Sequence, residues 1–232
     1  MIGLFDSGMG GHNTLRHLRS LYPDENIVLL TDRKNSPFGT KSEEELIEII
    51  KQNIITLDGF GIRKILIGCC TASGVLERNC HKMGLTCNKA EGIIEPVIRE
   101  ARAWSQNGRV AVIATEASIR SHTFATHSSH LQISEFMTQP LVAMIDGGLT
   151  DENIKEGDKE KIEVLLSPLK ECGADVLILG CTHFGSLKKT ISDIVRPYGI
   201  LKVIDSARSG ARGFRRHLTP LCEEAMTYYL DT

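Results

Sequence analysis

Short runs of consecutive apolar residues alternate along this chain with longer stretches in which apolar positions recur at helical spacing. Ile2 to Phe5, Ile27 to Leu30, Ile65 to Ile67, Val110 to Ala114, Val176 to Leu179 and Lys202 to Ile204 each read as a strand of a few residues flanked by Gly, Asp or Ser. Between them lie amphipathic patterns such as Glu43 to Ile50, where Ser42 is placed to cap a helix whose first turn is acidic. Strands alternating with helices predict an α/β fold with parallel sheets. Two of the strands end alike, Ile65-Leu66-Ile67-Gly68-Cys69 and Leu177-Ile178-Leu179-Gly180-Cys181, and each cysteine follows at a similar distance the run that opens its half, Ile2 or Val110. The chain therefore reads as two similar lobes. Gly147 to Lys161, rich in charge and glycine, reads as a surface loop or linker.

Composition narrows the class. With 232 residues, 41% hydrophobic and 24% charged, the chain can bury a sizeable core and is neither a disordered nor a collagen-like sequence. Its 27 basic and 29 acidic residues give a net charge of −2, which lacks the positive excess of a nucleic-acid or anionic-membrane surface. The sequence opens on Met1-Ile2-Gly3-Leu4-Phe5-Asp6 without a basic, apolar leader, and no apolar stretch is long enough to span a bilayer. A cytoplasmic protein without membrane or nucleic-acid partners is expected. Seven cysteines, at positions 69, 70, 80, 87, 172, 181 and 222, make no disulfide framework in a reducing compartment, so their work is packing or chemistry.

Chemistry points to the two strand-end cysteines. A thiol between a strand and a helix N-terminus meets amide N–H groups and the positive end of the helix dipole, which favour the thiolate. The same place suits a carboxylate. Ligands of open α/β sheets sit beyond the carboxyl ends of the strands, so two facing lobes would aim both thiols into one cleft. Two opposed thiols suit proton exchange at a stereocentre, because inversion removes a proton from one face and returns one to the other. Asp6 and His183, each at a strand end, are candidates for tuning them. Taken singly, a strand-end cysteine is a packing residue; the matched setting of the pair is what favours chemistry. Which of Cys69 and Cys70 serves stays open on the residues alone, since it is Cys70-Thr71-Ala72-Ser73-Gly74 that aligns with Cys181-Thr182-His183-Phe184-Gly185 on the closing glycine.

Other motifs carry less. Gly8-Met9-Gly10-Gly11 approaches a dinucleotide loop, but the third glycine position holds Asn13, so a small ligand near a tight backbone is the simpler reading. Asp32 to Ser42, with Pro37-Phe38-Gly39-Thr40, reads as a loop that can offer amides to a ligand. His127 and His130 could share a helical face, yet no C-x-x-C or H-E-x-x-H pattern supports a metal site. Cys80 and Cys87 read as packing or surface thiols, and Arg208, Arg212, Arg215 and Arg216 as a solvated helix face.

Five segments in order resemble glutamate racemases of the aspartate/glutamate racemase family: Phe5-Asp6-Ser7-Gly8-Met9-Gly10-Gly11, Pro37-Phe38-Gly39-Thr40-Lys41-Ser42, Cys69-Cys70-Thr71-Ala72-Ser73, Ala114-Thr115-Glu116-Ala117-Ser118-Ile119 and Leu179-Gly180-Cys181-Thr182-His183. The resemblance implies two α/β lobes in pseudo-twofold relation, 1–95 with about 207–232 and 96–206, with the active site in the cleft between them. It implies cofactor-independent interconversion of L- and D-glutamate, supplying D-glutamate for peptidoglycan, by a homodimer that holds no metal. Cys69 and Cys181 are then the acid/base thiols and Asp6 and His183 their helpers. Asp6, Ser7, Phe38, Gly39, Cys70, Thr71, Thr182 and His183 contact the substrate. The chain departs from the pattern at Cys70, where the family has Asn. It has Phe in place of Tyr at Phe38, Phe124 and Phe184, Gly185 in place of Pro, and Asp146 where Glu is common. These departures keep open a relative acting on aspartate or another small acid, and a decayed paralogue that binds a small acid or a protein partner without turnover.

Overall fold

The computed structural model describes residues 1–62, 64–84, 89–214 and 226–232. In chain order the elements are β1 (Ile2–Asp6), α1 (Gly10–Leu21), β2 (Ile27–Thr31), α2 (Glu43–Asp58), β3 (Lys64–Ile67), α3 (Cys70–Asn79), β4 (Ala90–Glu91), α4 (Ile94–Trp104), β5 (Arg109–Ala114) and α5 (Glu116–Arg120). They continue with β6 (Gln132–Met137), α6 (Gln139–Asp146), α7 (Glu156–Leu166), β7 (Val176–Gly180), α8 (Lys188–Val195), β8 (Lys202–Asp205), α9 (Ser206–Gly213) and β9 (Thr227–Asp231). Among the described residues these strands form two sheets, in the orders β4-β3-β1-β2-β9 and β6-β5-β7-β8, and every pairing is parallel. The expected α/β architecture of two parallel-sheet lobes is what forms.

Alternation along each strand assigns its two faces to different cores. Ile2 and Leu4 of β1, Val110, Val112 and Ala114 of β5, and Val176 and Ile178 of β7 enter one cluster shared by both sheets, with Leu15 and Leu18 of α1, Val97 and Ile98 of α4, and Ala211 of α9. The opposite faces close separate cores. Phe5 and Ile67 pack under α2 and α3, and Ile113, Leu177 and Leu179 pack under α6, α7 and α8. The central strands are therefore buried on both sides, which is why they read as unbroken apolar runs.

Sequence patterning located β1, β2, β3, β5, β7 and β8 and missed β4, β6 and β9. The edge strand β6 (QISEFM) is half-exposed, and β9 (TYYLD) runs along the far side of β2 with much of its surface in solvent. Ser42 caps α2 as expected, in a reciprocal box with Glu45: the Glu45 amide donates to the Ser42 hydroxyl, and the Ser42 amide donates to the Glu45 carboxylate at 3.0 Å.

Two expectations need correction. Of the segment 147–161 read as a loop, only 147–155 is one; from Glu156 the chain is α7, with Glu156 and Asp158 in the first turn and Ile162 and Leu166 buried four residues apart. His127 and His130 share no helix, because the 3₁₀ turn Ala125–His127 stops there. The His127 ring is engaged by Glu77 at 2.6 Å and by the Thr123 carbonyl. Arg208 and Arg212 are exposed on α9 as expected, Cys80 packs at the margin of the core under α3, and Cys87, Arg215, Arg216 and Cys222 lie outside the described residues.

Candidate active site

The site lies beyond the carboxyl ends of both sheets. β3 ends at Ile67, and Cys69 stands at the N-cap of α3; β7 ends at Gly180, and Cys181 stands at the N-cap of the 3₁₀ turn Thr182–Leu187. The two cysteines thus occupy the same place in the two sheets. Cys70 instead begins the helix. Its thiol donates to the Ser206 hydroxyl at 3.3 Å and packs in the shared core, while still touching the cavity.

Cys69 and Cys181 line one slender slot with Ser7, Phe38, Gly39, Cys70, Thr71, Thr182 and His183, so every residue singled out from the sequence reaches the slot except Asp6. Asp6 is fully buried behind the wall, its carboxylate taken up by the Gly8 amide at 2.9 Å and the Thr182 hydroxyl at 3.2 Å. Its carboxylate thus ties the Gly8 turn to Thr182. The slot also takes in Ser36, Pro37, Thr115, Gln139, Val142 and Asp146. Thr115 belongs to the segment 114–119, one of those that carry the family resemblance. Gln139 and Val142 stand in α6, where the sequence marks only Asp146.

Glycine makes the meeting of the lobes possible. A Cβ on Gly10 would fall 2.1 Å from the Thr182 hydroxyl oxygen, and one on Gly11 would fall 2.8 Å from the Asp6 Cβ. The glycines after β1 thus seat α1 against the Thr182 turn, where Asn13 donates to the Thr182 carbonyl at 2.8 Å. At the positions of the tyrosine-to-phenylalanine departures, Phe38, Phe124 and Phe184 are at most 2% exposed and sit in apolar clusters, and Phe38 also lines the slot.

The two thiols have different surroundings. Burial and the Asp6 carboxylate push the Cys69 thiol up to about 12, against the pull of the Ser7 hydroxyl, which donates to its sulfur at 3.4 Å. Burial likewise pushes Cys70 well up. Beside Cys181 stands a cation. Burial opposes charge on His183, but its electrostatic and hydrogen-bond contacts with Cys181 and Asp146, with Asp6 nearby, outweigh it and raise the imidazole to about 11. A protonated ring donates from both nitrogens, with Nδ1 3.5 Å from the Cys181 sulfur and Nε2 3.2 Å from Asp146 Oδ1. The shorter acid at position 146 therefore still reaches the histidine, and His183 in turn holds the Asp146 carboxyl below its usual range. Asp6 itself is raised by burial, which its hydrogen bonds and His183 only partly offset.

These shifts give stability a pH signature. His183 keeps its proton to about 11 in the fold against 6.5 ordinarily, so its contribution is full below about 6.5 and is lost as pH climbs toward 11. Cys69 acts in the same direction between 9 and about 12. Melting midpoints between pH 6 and pH 10 are expected to fall for the native chain and to fall less steeply for His183→Asn; parallel curves would contradict the assignment.

The model of the Asp/Glu/Hydantoin racemase family matches residues 26–213. The chain belongs to that family. This family member is 32% identical over 221 residues to a glutamate racemase of Herpetosiphon aurantiacus, covering 94% of this chain and 84% of the relative. It is 34% identical over 216 residues to one from Geobacter metallireducens, covering 91% and 77%. Among solved structures, glutamate racemase from Thermus thermophilus in complex with beta-chloro-D-alanine superposes with a TM-score of 0.82 at 26% identity, covering 100% of this chain and 87% of that one. By class the family member is an amino-acid racemase, an isomerase. Among its described residues no helix is long and apolar enough to cross a membrane, and no group of three or more His, Cys, Asp or Glu side chains is placed to hold a metal ion.

Proposed function

We propose that this racemase interconverts L- and D-glutamate by two-thiol proton transfer, with Cys69 and Cys181 as the acid/base pair. The observation that carries the reading is the equivalent placement of the two thiols, one from each sheet, on the walls of one slot. The names of the relatives supply the substrate.

The chemistry runs as an exchange of one proton for another. A Cys181 thiolate paired with the His183 imidazolium takes the Cα proton from one face of the substrate. The electron pair of the broken C–H bond stays on the substrate, spread into the adjoining carboxylate. The Cys69 S–H bond then breaks and delivers its proton to the opposite face, leaving Cys69 as the thiolate and Cys181 as the thiol. The reverse turnover, or proton exchange with solvent, restores the starting state. The Ser7 hydroxyl is positioned to stabilise the Cys69 thiolate once it forms, and the amides at the N-termini of α3 and of the Thr182 turn face the negative charge that develops on the substrate. Asp6 acts through Thr182 and the Gly8 amide as a positioning residue. Ser7, Phe38, Gly39, Cys70, Thr71, Thr182 and His183 form the substrate's surroundings, and Asp6 backs them.

Both proton transfers are made by side chains, so the scheme calls for no cofactor. We further propose a cytoplasmic homodimer that supplies D-glutamate for peptidoglycan synthesis. The presence of Cys70 in the slot instead of an amide side chain keeps a second substrate worth testing, namely aspartate. Following L-glutamate and L-aspartate by circular dichroism decides between them. Loss of optical activity from glutamate alone supports the proposal, selective loss from aspartate moves the assignment within the family, and ligand-induced stabilisation without turnover of either identifies a binding paralogue.

A further inference from the structure

We infer that Gln139 is a substrate-binding residue, its side-chain amide donating to a carboxylate oxygen of the dicarboxylic amino acid; this rests on the reading of the slot just proposed. A substrate with two carboxylates and one ammonium enters a slot that, among the described residues, is lined by no lysine or arginine. Apart from His183, neutral groups must therefore hold its oxygens. Most of the hydroxyls there are already committed. Ser7 donates to Cys69 and Thr182 to Asp6, while Thr71 and Thr115 close a ring with Ser118 at 3.0 to 3.2 Å. Position 70, where the family resemblance places an asparagine, offers only a thiol turned to Ser206.

Gln139 supplies what is missing. Its Oε1 accepts from the Glu116 amide at 3.2 Å, and a backbone N–H can only donate, so the orientation of the carboxamide is fixed by its partner. The backbone of Gly39 packs against the same oxygen, close enough that a Cβ there would lie 2.7 Å away. The NH₂ group is left without a protein partner among the described residues, on a side chain that lines the slot. A held amide with both hydrogens to offer is the donor a carboxylate requires where no cation stands.

Gln139→Glu separates this role from a structural one. It keeps the acceptor oxygen for the Glu116 amide and the shape against Gly39, but replaces the donor with a second oxygen and adds negative charge. With glutamate as substrate, KM is expected to rise by at least about tenfold while kcat changes little, and the melting midpoint is expected to stay close to that of the native chain. An unchanged KM overturns the inference, since a side chain that only caps α5 would tolerate the exchange. If Gln139→Glu fails to fold, Gln139→Met is measured instead, with the same rise in KM expected and an unchanged KM again overturning it. Absence of glutamate turnover by the native chain is a different outcome: it removes the functional reading, and this inference with it.

Discussion

Replacing either Cys181 or Cys69 by alanine is expected to lower kcat/KM for glutamate racemisation on the order of a thousandfold in both directions, the scale of a lost general acid or base. The symmetry of the loss is the informative part. Inversion needs one group on each face of Cα, so a missing thiol on either side blocks the reaction whichever enantiomer is supplied. Cys70→Ala provides the contrast. Its thiol belongs to the helix and donates to Ser206, so its removal is expected to leave racemisation within about tenfold of the native rate, the scale of one neutral hydrogen bond. Racemisation rates from both enantiomers check all three variants. A Cys70→Ala loss as deep as that of Cys69→Ala would transfer the catalytic role to Cys70.

Gly10→Ala is expected to reach the active centre without touching a reacting atom. The added Cβ would stand 2.1 Å from Thr182 Oγ1, 2.9 Å from Thr182 Cβ and 3.1 Å from His183 Nδ1. The threonine has no room to turn aside, being buried, bonded to Asp6 through its hydroxyl and held by Asn13 through its carbonyl. The Thr182 turn must therefore move away from α1, carrying His183 and the cap position of Cys181 with it. Overpacking of this kind destabilises by about 1–3 kcal/mol, and displacement of a catalytic group by about 1 Å lowers the rate roughly a hundredfold. Denaturant unfolding and steady-state kinetics on the same preparation measure both effects. Native stability and native kcat in Gly10→Ala would mean that the two lobes are not held together by this contact.

The parts legible in the sequence are those whose cause is local. The unbroken apolar runs at β1, β5 and β7 announce strands buried on both faces, and Ser42 with Glu45 announces the start of α2, because a capping box is made by residues three apart. The matching Gly68-Cys69 and Gly180-Cys181 ends could be read for the same reason. What the sequence hid depends on contacts between distant segments. β9 has a polar, half-exposed pattern and becomes a strand by lying beside β2, 200 residues earlier in the chain. Asp6 stands at a strand end like Ser7, yet faces inward, and only the cross-lobe contact with Thr182 accounts for that. Gln139 follows an edge strand that the pattern did not mark, so nothing local connected it with Gly39 and Thr115 across the slot.

The most direct test of the two-thiol account is racemisation in deuterium oxide with isotope placement read at Cα. Starting from unlabelled L-glutamate, the D-glutamate formed in the first turnovers is predicted to carry one deuterium at Cα, because the proton delivered to the new face comes from a solvent-equilibrated thiol and not from the substrate. D-glutamate that keeps its original Cα hydrogen would contradict the account.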